Sequence, residues 1–261
     1  MKALRVLPTA LLLSCSLGTA PDPPEGALKV LFIGNSLTYV NDLPRTVAQL
    51  ALSAGLPHCY CAAIAHPNFA LEDHWDFRDA VTALEEESWD FVVMQQGPSA
   101  LPESRDHLIT WAGVFGNLID DNGAQAVMYG VWPQFDRSFD FPNVTESYRL
   151  AADAIGALFA PAGEAWQFAW AVDTTLPLYS PDEFHPSTMG TYLAALTIFE
   201  RLYGQDAIGV QQSAVVDGRV QLWPADVVRL LQEAAAAANA AEDARIVTHA
   251  GSSAARVVRR Q

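Results

Sequence analysis

From residue 28 onward, short β-branched or aromatic runs alternate with segments whose apolar residues recur at helical spacing, and this alternation constrains the fold most. Residues 28–33 form a largely apolar run that ends in Gly-Asn-Ser, the pattern of a strand entering a tight turn. Residues 43–54 carry Leu43, Val47, Leu50, Ala51 and Ala54 on one helical stripe and stop at Gly55. The same pattern predicts strands at 57–65, 89–94, 126–131 and 166–172, and helices at 71–87, 103–121, 145–159, 187–204 and 224–241. Residues 205–220 read as a loop. Strands that alternate with helices build parallel β-α-β units with right-handed crossovers. The expected fold is therefore α/β, three layers deep, with five parallel strands between two layers of helices. Its functional loops should lie at the carboxyl ends of the strands.

The two ends of the chain stand apart from this pattern. Lys2 and Arg5 precede a short apolar stretch and then small residues, which is the form of an export signal over residues 1–20. Leu12-Leu13-Ser14-Cys15 resembles a bacterial lipobox, so lipidation of Cys15 and attachment to a membrane is one expectation. Cleavage after Ala20 and secretion is the other. One folded domain is expected over 27–241, and the polar stretch 242–261 is expected to be a disordered tail. With Cys15 set aside, Cys59 and Cys61 remain, one residue apart in a strand, and are read as buried free thiols. The formal charge of −15 argues against nucleic acid as a partner.

Two short motifs carry chemistry. Gly34-Asn35-Ser36-Leu37-Thr38 follows the first strand, where a turn can present a serine hydroxyl above the sheet with backbone N–H groups beside it. Taken alone, Ser36 could equally be a helix cap. Ser180-Pro181-Asp182-Glu183-Phe184-His185-Pro186-Ser187 supplies a histidine, the side chain suited to activate serine near neutral pH. Asp182, three residues earlier, can fold back to hold the second ring nitrogen.

Together, in this order, the two blocks resemble the SGNH (GDSL-like) hydrolases, and the similarity extends over residues 28–204. The resemblance implies a flavodoxin-like strand order 2-1-3-4-5 and hydrolysis of an ester through an acyl-enzyme. It implies Ser36 as nucleophile, His185 as general base and acid, and Asp182 as the orienting carboxylate. No metal and no cofactor are implied. The oxyanion hole departs from the family pattern. The second block, His66-Pro67-Asn68-Phe69-Ala70, has Asn68 where the family places Gly, and the third block offers Gln95 and Gln96 in place of Asn. Strand alternation lets only one of these two glutamines face the site, and Gln95 is preferred. Ser36 would donate its own N–H. Trp132, ending the fourth strand, is expected to form a pocket wall for acyl or sugar groups. His66 and His74 flank the second block and are read chiefly as packing or surface residues.

The expected activity is metal-free hydrolysis of a short-acyl carboxylic ester, with O-acetyl groups on exported or surface carbohydrate as the substrate class. The alternative is a surface-anchored carbohydrate-binding protein that keeps the scaffold without catalysis, motivated by the altered oxyanion blocks.

Overall fold

The computed structural model describes residues 23–258, with side chains as far as residue 248. The expected export signal and Cys15 lie outside the described residues. Five strands, β1 (Leu28–Gly34), β2 (Cys59–Ala65), β3 (Phe91–Met94), β4 (Gln125–Tyr129) and β5 (Leu158–Ala160), form one parallel sheet in the order β2-β1-β3-β4-β5. That is the order the family resemblance implies. Val30, Leu31, Phe32 and Ile33 of the central strand are fully buried, as a strand covered on both faces requires.

Helices α1 (Ser36–Tyr39), α2 (Leu43–Ser53), α3 (Leu71–Phe77), α4 (Asp79–Glu86), α5 (Pro102–Asn122), α6 (Phe141–Ile155), α7 (Ala162–Val172), α8 (Thr188–Tyr203) and α9 (Ala225–Val258) complete the fold. α2, α7, α8 and α9 pack together, and α3 to α6 form the other contiguous group. The strand order reverses between β1 and β3, so the loops after those two strands open a crevice at the carboxyl edge.

Several elements differ from the sequence reading, each for a local reason. The expected fifth strand at 166–172 is helical. Its aromatic residues favour strands in isolation, but Ala162, Ala165, Trp166 and Ala169 are buried at helical spacing within α7. The strand sits earlier, at Leu158–Ala160, because Gly156 in the left-handed conformation (φ 63°) ends α6 before it. The expected helix over 71–87 is two helices, broken at Arg78 (φ 70°). Left-handed backbone at a residue with a long side chain is unfavourable and points to a constraint imposed by its surroundings. The loop 205–220 contains a small antiparallel hairpin, Val215–Val216 with Arg219–Val220.

The expected disordered tail from residue 242 is helical as far as Val258. It is held by a buried charge network: Glu242 is only 2% exposed and accepts from Arg149 Nε at 2.9 Å and Arg245 Nε at 2.9 Å. Cys59 and Cys61, expected as free thiols, form a disulfide. Their Cα atoms are 5.4 Å apart, against about 6.6 Å for alternate residues of an extended strand, so β2 contracts locally to bring the sulfurs together.

Candidate active site

Ser36 opens α1 immediately after β1 and is nearly buried, at 7% exposure. The turn that carries it is fixed from below. Asn35 caps α1 by accepting from Leu37 N–H at 3.1 Å, and its amide donates to the Phe69 carbonyl at 3.0 Å. Gln95, at the end of β3, accepts from Asn35 N–H at 3.1 Å and from the Thr38 hydroxyl at 2.9 Å. Its own amide donates to Asn35 Oδ1 at 2.9 Å and to the Gln96 carbonyl. A β-carbon on Gly34 would fall 2.4 Å from Thr38 Oγ1 and 2.6 Å from Gln95 Oε1, so this close packing requires glycine. Ser36 N–H stands at the first helical position, where no helical carbonyl can accept from it. Ser36 Oγ makes no hydrogen bond among the described residues.

The second motif folds back on itself around one carboxylate. Asp182 Oδ1 accepts from the Ser180 hydroxyl at 2.7 Å and from the N–H groups of Phe184 and His185 at 3.0 and 2.9 Å. Asp182 Oδ2 lies 2.6 Å from His185 Nδ1. The hydrogen bond with His185, assisted by Ser180 and the two backbone donors, holds the Asp182 carboxyl well below the usual aspartate range. The carboxylate therefore stays ionised while it orients the ring.

The loop is tied to the body of the protein on both sides. Trp132 Nε1 donates to the Phe184 carbonyl at 3.0 Å, and Phe135 N–H donates to the Glu183 carbonyl at 2.9 Å. On the Ser36 side, the Asn41 amide donates to the Pro186 carbonyl at 3.1 Å and to Thr191 Oγ1 at 3.0 Å. Asn41 thus links the segment after Ser36 to the residue after His185. On the expectation that His185 acts as the base, removing that link in Asn41→Ala should lower kcat more than it raises KM, by roughly tenfold, because moving that ring would affect the chemical step before ground-state binding. Steady-state kinetics with an acetate ester checks this.

An open cleft of about 380 Å³ runs past Ser36, with Asn35, Asn68, Phe69, Gln96, Ser99 and Phe184 among its walls. A second hollow of about 240 Å³ shares Ser99 and Phe184 with it. Among the oxyanion candidates, Ser36, Asn68 and Gln96 therefore reach the cleft, and Gln95 does not. Both amide protons of Gln95 are engaged beneath the turn, which corrects the preference for it over its neighbour. Gln96 accepts from Leu71 N–H at 3.2 Å and donates to Ser99 Oγ at 3.0 Å, leaving one amide proton without a protein partner. Asn68 adopts the left-handed conformation (φ 62°), so asparagine meets a backbone requirement for which glycine is the usual choice.

Trp132 is not a pocket wall. It is fully buried and stacked on Trp166 with ring centroids 3.7 Å apart, so its contribution is to position the Asp182–His185 loop. His66 and His74 lie behind the Ser36 turn and outside the cleft walls, His74 being fully buried. Sequence reasoning passed over Asn35, Asn41 and Ser180 as site residues. Asn35 carried a signal in the Gly-Asn-Ser triplet, and Asn41 carried none, because its partners are 145 and 150 residues away.

No sequence-family model matches this chain, and no curated protein matches it. Solved structures do. A protein from Slackia heliotrinireducens described as a candidate SGNH hydrolase is 29% identical with a TM-score of 0.58, covering 67% of this chain and 98% of its own. A DUF4886 family protein from Bacteroides uniformis, 20% identical with a TM-score of 0.63, covers 80% and 93%. An acetyl-xylooligosaccharide esterase from Geobacillus, 15% identical with a TM-score of 0.51, covers 68% and 95% and shares the fold. The sheet order and these structural neighbours support the SGNH (GDSL-like) hydrolase superfamily for this chain.

Proposed function

We propose that this protein is a serine ester hydrolase that removes short acyl groups, with O-acetyl groups on carbohydrate as its substrate class. The observation that carries the reading is the Asp182–His185 pair, 2.6 Å apart on a loop that Asn41 ties to the segment bearing Ser36. In the proposed reaction, His185 Nε2 accepts the Ser36 proton as Oγ attacks the ester carbonyl, and His185 Nδ1 remains bound to Asp182. The tetrahedral oxygen receives hydrogen bonds from Ser36 N–H and from the Gln96 or Asn68 amide. Collapse releases the alcohol, which takes its proton from His185. Water, activated by the same imidazole, then hydrolyses the acyl-Ser36 ester and regenerates the serine.

The modest cleft volume and its open mouth favour a small acyl group on a bulky, polar alcohol. The acetyl-xylooligosaccharide esterase among the structural neighbours lends support to an acetylated sugar. Export through residues 1–20, with Cys15 either lipidated or removed, would place the enzyme among extracellular or surface glycans. The Cys59–Cys61 disulfide supports an oxidising compartment. An intact Asp182–His185 pair gives no support to a binding-only scaffold.

Release of p-nitrophenol from its acetate ester tests the reading. Purified protein should turn over many equivalents, and Ser36→Ala should lower the rate by about 10⁴-fold or more with the fold unchanged by circular dichroism. Equal rates in the two proteins would refute it.

A further inference from the structure

Behind the nucleophile turn, and outside the proposed triad, three side chains from separate elements converge. His66 follows β2, His74 lies in α3, and Asp79 begins α4. One ligand atom from each lies within 4.8 Å of the others. His74 is fully buried, and its Nε2 bonds to the Gly34 carbonyl at 2.8 Å. A carbonyl can only accept, so Nε2 carries the proton and Nδ1 presents a lone pair. That buried Nδ1 has no hydrogen-bond partner among the described residues, and Asp79 Oδ1 stands 4.0 Å from it. A lone pair aimed at a carboxylate calls for a cation between them.

The backbone is shaped to create this meeting. In one continuous helix, residues 74 and 79 would be five positions apart and would project from different faces. The left-handed Arg78 breaks the helix and turns Asp79 toward His74. Asp79 Oδ2 meanwhile lies 2.5 Å from His66 Nε2. Phe69 and Phe77 pack on the His66 ring at 4.7 and 5.1 Å between centroids, an apolar surround of the kind that encloses metal sites.

We propose that His66, His74 and Asp79 form a binding site for a divalent transition ion, Zn²⁺ foremost. Two imidazoles and a carboxylate suit Zn²⁺, with water as the fourth ligand. His74 shows the outer hydrogen bond typical of a metal-ligating histidine, its other ring nitrogen donating to a backbone carbonyl. That carbonyl belongs to Gly34, which also accepts from His66 N–H at 3.1 Å. Bound metal would thus brace the end of β1 two residues before Ser36, as a structural clamp that takes no part in acyl transfer.

The test needs no substrate. The full chain, stripped with chelator and titrated with Zn²⁺ by calorimetry, should bind one equivalent, and its thermal midpoint should rise on binding. Co²⁺ in its place should give the visible absorption of tetrahedral coordination. His66→Gln and Asp79→Asn, at part-exposed positions that tolerate change, should each weaken binding by at least about tenfold. His74 is fully buried and its replacement perturbs the core, so those two variants carry the test. Ser36→Ala and His185→Ala should bind like wild type, which separates this site from the proposed esterase centre. Absence of one-equivalent binding, equal affinity in His66→Gln, or loss of binding in His185→Ala would overturn the proposal.

Discussion

Asp182→Asn will lower kcat for ester hydrolysis by about 10⁴-fold while leaving the protein folded. In the proposed reaction the carboxylate fixes the imidazole with Nδ1 protonated and Nε2 free to accept from serine. An amide can present N–H to Nδ1 instead, which selects the opposite tautomer and leaves Nε2 unable to act as base. The loop itself should survive, because the Asn side-chain oxygen can still accept from the N–H groups of Phe184 and His185, as Asp182 Oδ1 does. KM should change little. The pH dependence follows from the same geometry. The Asp182 pKa is depressed, chiefly by its hydrogen bond with His185, so its carboxylate remains charged and keeps its hold on the ring as pH falls through the ordinary aspartate range. A kcat in Asp182→Asn within tenfold of wild type would contradict this role.

Gln95→Leu will have the larger effect on stability. The side chain is fully buried, and its removal strands Asn35 N–H and the Thr38 hydroxyl, while Asn35 Oδ1 keeps only Leu37 N–H. Leaving buried polar groups unpaired costs about 1–3 kcal/mol each, so for two such groups a loss of roughly 2–6 kcal/mol is expected. For a domain of this size that lowers the thermal midpoint by about 10 °C or more. Activity should fall as well, since the stranded groups belong to the turn that presents Ser36. Gln96→Leu provides the contrast, with a smaller loss of stability and a fall in kcat of about 10²-fold if its amide serves the oxyanion. Thermal melts and kinetics on the pair distinguish a support beneath the turn from a donor at its surface.

The sheet was legible in the sequence because its four long crossovers carry distinct periodicities, and because the β1 run is apolar on both faces. The fifth strand was not. Three residues suffice for an edge strand once β4 provides the partner, while the Trp166–Trp170 stretch has strand-like composition and helical burial. The motif blocks exposed Ser36, Asp182 and His185 as candidates through residue type and order. They could not separate Gln95 from Gln96, because that depends on where β3 stops and which amide Asn35 and Thr38 engage. Trp132 was misread for a related reason. A tryptophan at a strand end can face a cleft or a core, and only the packing of α7 determines which. The tail from 242 looked disordered by composition, yet Arg149 lies ninety-three residues before its buried partner Glu242, a separation no local pattern reveals.

The most direct test of the central claim is covalent labelling of the nucleophile. Protein treated with a fluorophosphonate, digested and mapped by mass spectrometry should carry one adduct, on Ser36, and His185→Ala should label far more slowly. Labelling on another serine such as Ser99, or none under conditions where the protein is folded, would contradict the account.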